Sequence, residues 1–203
     1  MSEPKTGRPA APGPHGPLGR SSAAKRRRVL WIAGAAMLLL WIFLVVQDGE
    51  IKQSNGPGIV PFEVAGTQEE AREILGEWGS AGRDAARVSL RVDFAYLIAY
   101  SLFLAVACTV ASQRLARRGM TRLARLGPIL GWSMFAAGTF DAIENVALLR
   151  VIDGNTETWP GIALYAAIPK FAITGIGLAY AILGAVLGWV GSRRTPRTDW
   201  TQP

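Results

Sequence analysis

The chain has one cysteine, Cys108, and one histidine, His15. A single thiol cannot close an intramolecular disulfide, and it leaves a thiolate metal site without ligands. A single imidazole, in a Pro- and Gly-rich stretch, rules out a Ser-His-Asp triad, a Cys-His pair and a histidine metal centre. Cys108 sits beside Ala107, Thr109 and Val110 in an apolar run and reads as an inert packing residue. No cofactor or metal is expected, and no catalytic residue is assigned.

Charge is scarce as well, at 18% of 203 residues against 50% hydrophobic. The scarcity is uneven, because four apolar blocks hold almost none of it. The formal charge of +7 invites a nucleic-acid partner. Its distribution argues against one: the basic residues border the apolar blocks, as the positive-inside rule of membrane proteins requires.

What is present is therefore read as an all-α membrane protein, a bundle of four transmembrane helices. Residues 1–28 form a Pro/Gly/Ser/Ala-rich basic tail that cannot bury enough apolar surface to offset its ordering entropy, and it is expected to be disordered. After Lys25-Arg26-Arg27-Arg28 the spans fall at about 29–47, 90–112, 126–149 and 162–191 within a membrane domain of residues 29–192, each close to the ~20 apolar residues a crossing needs. The first lacks an A-x-A-like cleavage site after Val46 and is expected to remain as an anchor. The fourth is long and contains Pro169, so either it kinks there or the span proper starts there. Residues 193–203 form a second tail.

Residues 48–89 lie between the first two spans. Gly56-Pro57-Gly58 marks a turn, and Ile59 to Val64 allows a short strand. Thr67 and Glu70 have capping-box spacing. Ala71, Ile74, Leu75 and Trp78 then recur at helical spacing, which predicts a short extracytoplasmic amphipathic helix over 67–79.

Charge counting orients the chain. The N-terminal tail, the 113–126 loop and the C-terminal tail carry +6, +5 and +2, and everything else carries −6. With four spans, the basic segments share one side. This predicts a multi-pass protein of the cell membrane with both termini in the cytoplasm.

One feature points to chemistry. At about 1.5 Å per residue, Gln47, Asp93, Asp141, Glu144, Asn145 and Lys170 fall roughly 22 to 33 Å from the cytoplasmic ends of their helices. All four helices thus carry polar residues at one level, near the outer edge of a hydrocarbon core of about 30 Å. Asp141, Glu144 and Asn145 are spaced i, i+3, i+4 and share a face. Carboxylates at that depth, costing about 2.5 to 3.5 kcal/mol when unpaired, face inward and seek a partner. Lys170 is the simplest one. Asp93, Tyr96 and Tyr100 share a face too, and phenols over a carboxylate suit a cationic or amphiphilic ligand. Gly177, Ala181, Gly184 and Gly188 form a close-packing stripe that seats a neighbouring helix or a second copy.

The runs Phe62-Glu63-Val64-Ala65-Gly66-Thr67, Leu90-Arg91-Val92-Asp93-Phe94, Asp141-Ala142-Ile143-Glu144-Asn145 and Pro169-Lys170-Phe171 resemble small four-span bacterial integral membrane proteins. The resemblance covers about residues 30–192 and implies the topology but no chemistry. The Ala/Gly/Arg-rich composition is similar to that of GC-rich bacterial sequences.

Three functions fit these residues. The first is a membrane module whose outward-facing cluster binds a lipid headgroup, a small amphiphile or a partner protein. The second is a membrane enzyme for a lipid-like substrate, with Asp141 or Glu144 as general base and Lys170 holding an anionic group. The third is a proton- or cation-coupled transporter acting as a homodimer.

Overall fold

Six helices follow one another along the chain. They are α1 (Ala23–Gln53), α2 (Ile59–Val64), α3 (Gln68–Ala116), α4 (Thr121–Ala124), α5 (Leu126–Ile152) and α6 (Trp159–Ser192). The computed structural model describes residues 15–53 and 56–192, with side-chain surroundings up to residue 187, and all its regular elements are helical. Three of them, α1, α3 and α6, are long and apolar enough to cross a membrane.

The residues between α1 and α3 show how local chemistry sets the path. Ile59–Val64 is a helix rather than a strand. No neighbouring strand is available to pair with it among the described residues, and the Asp48 carboxylate instead accepts a hydrogen bond from the Ile59 amide at 2.7 Å. Pro61 falls in the first turn, where its missing N–H breaks no helical bond. Phe62 is thereby turned inward against Trp78, ring centroids 4.7 Å apart.

The Thr67–Glu70 capping box forms as expected. The Thr67 hydroxyl accepts from the Glu70 amide, and the Glu70 carboxylate accepts from the Thr67 amide. Ala71, Leu75 and Trp78 are buried, and Ile74 packs against the same core. Gly79, at φ 58° and ψ −157°, breaks the helical path in a conformation that L side chains rarely adopt. The chain resumes as helix at once, so the long part of α3 begins near Ser80 and not near Leu90. Arg83 bridges the break by donating to the Gly79 carbonyl at 2.7 Å.

At the other end of α3, Gly119 adopts φ 74°, and the Met120 amide reaches back to the Leu115 carbonyl. This left-handed cap ends the helix and turns the chain through α4 into α5. α6 runs through Pro169 as one helix, so Ile162 to Ile168 is part of it rather than a separate segment.

α3 is the central element. It packs against α1, α5 and α6, while α5 and α6 also pack together and α2 lies on α6. Two of the stripe glycines of α6 serve these contacts. Gly177 faces Met134 of α5, and Gly184 faces Ala111 of α3. Gly188 lies outside the residues whose surroundings are described. The peripheral α1 buries only Ala33 and Ile51.

Residues 15–22, assigned to a disordered tail by composition, have a defined place. Gly16 and Pro17 are buried in the groove between α3 and α5, against Thr109, Pro128 and Gly131. Trp132 donates to the His15 carbonyl at 3.2 Å. Arg26 donates to the Ser21 carbonyl and closes the loop. Packing against a groove floored by glycine supplies here what low hydrophobicity alone does not.

Candidate functional site

Spacing on α5 puts Asp141, Glu144 and Asn145 on the face it turns toward α3 and α6, and all three are buried, Glu144 completely. α6 supplies the counter-charge. Lys170 follows Pro169 and is 8% exposed, with its ammonium 2.6 Å from Glu144 Oε2 and 3.3 Å from Asp141 Oδ1. It lies 3.6 Å from Glu63 Oε2 of α2 and over the Phe171 ring, 4.4 Å from its centroid. One cation therefore serves three carboxylates.

α3 supplies the remaining wall. Asp93 Oδ2 accepts a hydrogen bond from the Asn145 side-chain amide at 2.6 Å. Among the described residues, Asp93 makes no ion pair. The rings of Tyr96 and Tyr100 stand next to it along the helix, centroids 5.4 Å apart. Asp93, Tyr96, Tyr100, Asp141, Glu144, Asn145 and Lys170, seven of the eight residues singled out by depth and spacing, thus lie in one region of the molecule. Gln47, at the same level on α1, makes no side-chain hydrogen bond with the cluster among the described residues.

Glu63 was missed by the sequence reading as a site residue, although it is the one charge in the apolar run Ile59–Ala65. The strand reading hid it. A helix on top of α6 points it at Lys170, whereas a strand would have left its direction open. Burial pushes its carboxyl above the usual carboxylate range, opposed by the Lys170 ammonium.

Several further polar atoms here are buried. They are the Tyr100 hydroxyl, the Ser101 and Thr174 hydroxyls, and Glu144 Oε1. The Tyr100 hydroxyl lies next to Asp141, Ser101 and Thr174. Buried polar groups normally find a partner, since leaving one unmade costs about 1–3 kcal/mol. Here the three hydroxyls and the Asp141 carboxyl lie close enough to one another to serve as partners.

A cavity of about 480 Å³ adjoins this cluster. Its floor is α3, from Ser89 to Leu104, and its walls are α1 and α6, with α2 across one end. Polar residues gather at the α2 end: Glu63, Asp93, Asp141, Lys170 and the two tyrosines. Further along, Met37, Phe103, Leu104 and Leu178 make the lining apolar. The side chains at its rim are exposed and apolar, Trp41 and Phe171 among them.

The described residues hold no group of three or more His, Cys, Asp and Glu side chains arranged to bind a metal ion. The four carboxyls meet around Lys170 and Asn145 rather than around a common point. Compared with known proteins, the chain matches no family model, no curated protein and no solved structure. The site must be read from its own chemistry.

Proposed function

We propose that the protein is a four-span integral protein of the cell membrane whose outward-facing cavity binds a small amphiphile drawn from the bilayer. The spans are α1, the body of α3, α5 and α6, with the basic segments and both termini on the cytoplasmic side. The extracytoplasmic cap is α2 with the first turns of α3.

α5 is the span that composition alone leaves in doubt, since it carries Asp141, Glu144 and Arg150. Its faces support the assignment. The two carboxylates near its middle are buried, while Ile129, Trp132, Phe135, Ile143 and Val146 are exposed. An apolar outside around a polar inside is how a helix carries carboxylates through lipid.

The observation that carries the function is the cavity itself, polar at one end, apolar along its length and rimmed by exposed apolar side chains. That is the shape of an amphiphile, and its volume lies within the range of about 300–1,000 Å³ typical of small-molecule sites. An apolar face alone would suit any lipid, but the buried hydroxyls and carboxyls require a head with polar atoms.

Native mass spectrometry of gently purified protein tests this. A stoichiometric amphiphile should co-purify, and Val60→Trp, an exposed position on the cavity rim, should displace it without unfolding the protein. Protein that folds and carries no amphiphile, or keeps it equally in Val60→Trp, would refute the reading. Consumption of the bound molecule would convert the module into an enzyme.

A further inference from the structure

The amphiphile reading leaves open which head the cavity selects. For a molecule that starts in the bilayer, the chain contributes little to the choice, because lipid tails are as apolar as the cavity wall. The head must decide it.

The polar end is lined by three carboxyls, Glu63, Asp93 and Asp141, and one ammonium, Lys170, with Glu144 buried behind them. Lys170 is engaged with Glu144, Asp141 and Glu63, so among the described residues no free cation lines the cavity to hold an anionic head. Asp93 has only the Asn145 amide. It faces the cavity with Tyr96 and Tyr100 beside it on the same wall. Tyrosine faces attract cations, more strongly when water is excluded. Lys170 over the Phe171 ring already shows an ammonium held among carboxylates and an aromatic face in this pocket.

We infer that the cavity selects a cation-headed, single-chain amphiphile, its ammonium seated between Asp93 and the Tyr96–Tyr100 pair and its alkyl chain laid along α3 toward Leu104. This rests on the amphiphile-binding reading and specifies its ligand class. A primary ammonium would donate to the Asp93 carboxylate, which otherwise accepts only from the Asn145 amide, while lying against the tyrosine faces. The floor from Ser89 to Leu104 is about 22 Å long at the helical rise, enough for one extended chain. A volume of about 480 Å³ accommodates one chain rather than a two-chain phospholipid.

Entry follows from the same geometry. The rim at Trp41, Phe171 and Leu178 is apolar and exposed, so the chain slides in sideways between α1 and α6. The ligand need not leave the membrane to reach its site.

The test uses full-length protein in phosphatidylcholine nanodiscs, a surface with no net charge to concentrate cations. Dodecylamine, dodecanol and dodecanoic acid are supplied at equal mole fraction in the lipid, and bound chains are counted by native mass spectrometry. Dodecylamine should bind saturably at one per chain, at least tenfold tighter than the other two. Asp93→Asn should bring amine and alcohol within twofold of each other. Tyr96→Leu, at a half-buried position, should lose part of the preference and serves if Asp93→Asn does not fold. Equal retention of amine and alcohol by the unaltered protein overturns the choice of head while leaving amphiphile binding intact. Tighter binding of the acid, or a preference unchanged in both variants, overturns the inference as well. No saturable binding of any of the three sinks the amphiphile reading itself.

Discussion

α1 and α5 invert the usual expectation about hydropathy. α1 is the most lipid-like of the long helices, with Trp31, Ile32, Leu39 and Val46 all exposed and only Ala33 and Ile51 buried. α5 is not among the helices that composition marks as able to cross a membrane, yet it buries Asp141, Glu144 and Asn145 together with Met134, Ala147 and Leu148. Hydropathy measures how well a helix faces lipid. It under-reports a helix whose inner face is built for polar contacts, and the buried polar cluster sits on such a face. The long helix whose composition looks least like a span is therefore the one that supplies most of the buried polar cluster.

The sharpest way to break this comparison is to ask whether α5 crosses at all, because the answer is all or none. In a Cys108→Ala background, Asn155→Cys should react with a membrane-impermeant thiol reagent added to intact cells, and Met120→Cys should not. The two positions bracket α5. Equal labelling of both would put its ends on one side and return α5 to the status of a surface helix.

Next in size is the ion cluster. Lys170→Met strands three carboxylates, and breaking a buried pair in this way costs about 3–5 kcal/mol. Glu144→Gln removes the closest partner and should soften the loss, so the double variant Lys170→Met/Glu144→Gln should be less destabilised than the sum of the two. The same cycle with Asp141→Asn should give a smaller coupling, in keeping with its longer contact. Unfolding free energies in mixed micelles would measure both, and strict additivity would mean that proximity here carries no energetic link.

Close packing comes third. Gly184→Leu drives a side chain into Ala111, an overpacking that typically costs about 1–3 kcal/mol. The smallest effects belong to α1. Leu39→Ala and Ile42→Ala at exposed positions should change stability by no more than about 0.5 kcal/mol. A large loss at either would show that this exposed face of α1 has a partner, for instance a second copy of the chain.

Much of this was legible beforehand, and the physical reasons separate what was from what was not. Asp141, Glu144 and Asn145 were readable because an α-helix converts spacing into a face, and depth into a shared level with Lys170. The Thr67–Glu70 cap was readable because it is a local exchange of two hydrogen bonds. Glu63 was not, because Ile59–Val64 has strand-like residues and its helical state depends on the Asp48 cap and the Phe62–Trp78 contact, both non-local. The early start of α3 was hidden by Gly79, whose backbone break looks in sequence like a helix end. Nor does composition reveal that Gly16 and Pro17 have a groove to fill. The cavity was beyond reach for a related reason: a void is defined by which side chains fail to meet.

The ties at the two ends of α1 have a mechanical consequence. At one end the His15–Ser22 loop hooks into the α3–α5 groove. At the other, Ile51 is sunk in the core and Asp48 is bonded to Ile59. Between those anchors the helix leans on α3 with little of its surface enclosed. A rod clamped at both ends and lightly supported between them yields in the middle, so thermal bowing of α1 near Met37 and Trp41 would widen the cavity while both ends stay fixed. The clamp at the His15 end then bears on the width of the cavity as much as the residues that line it.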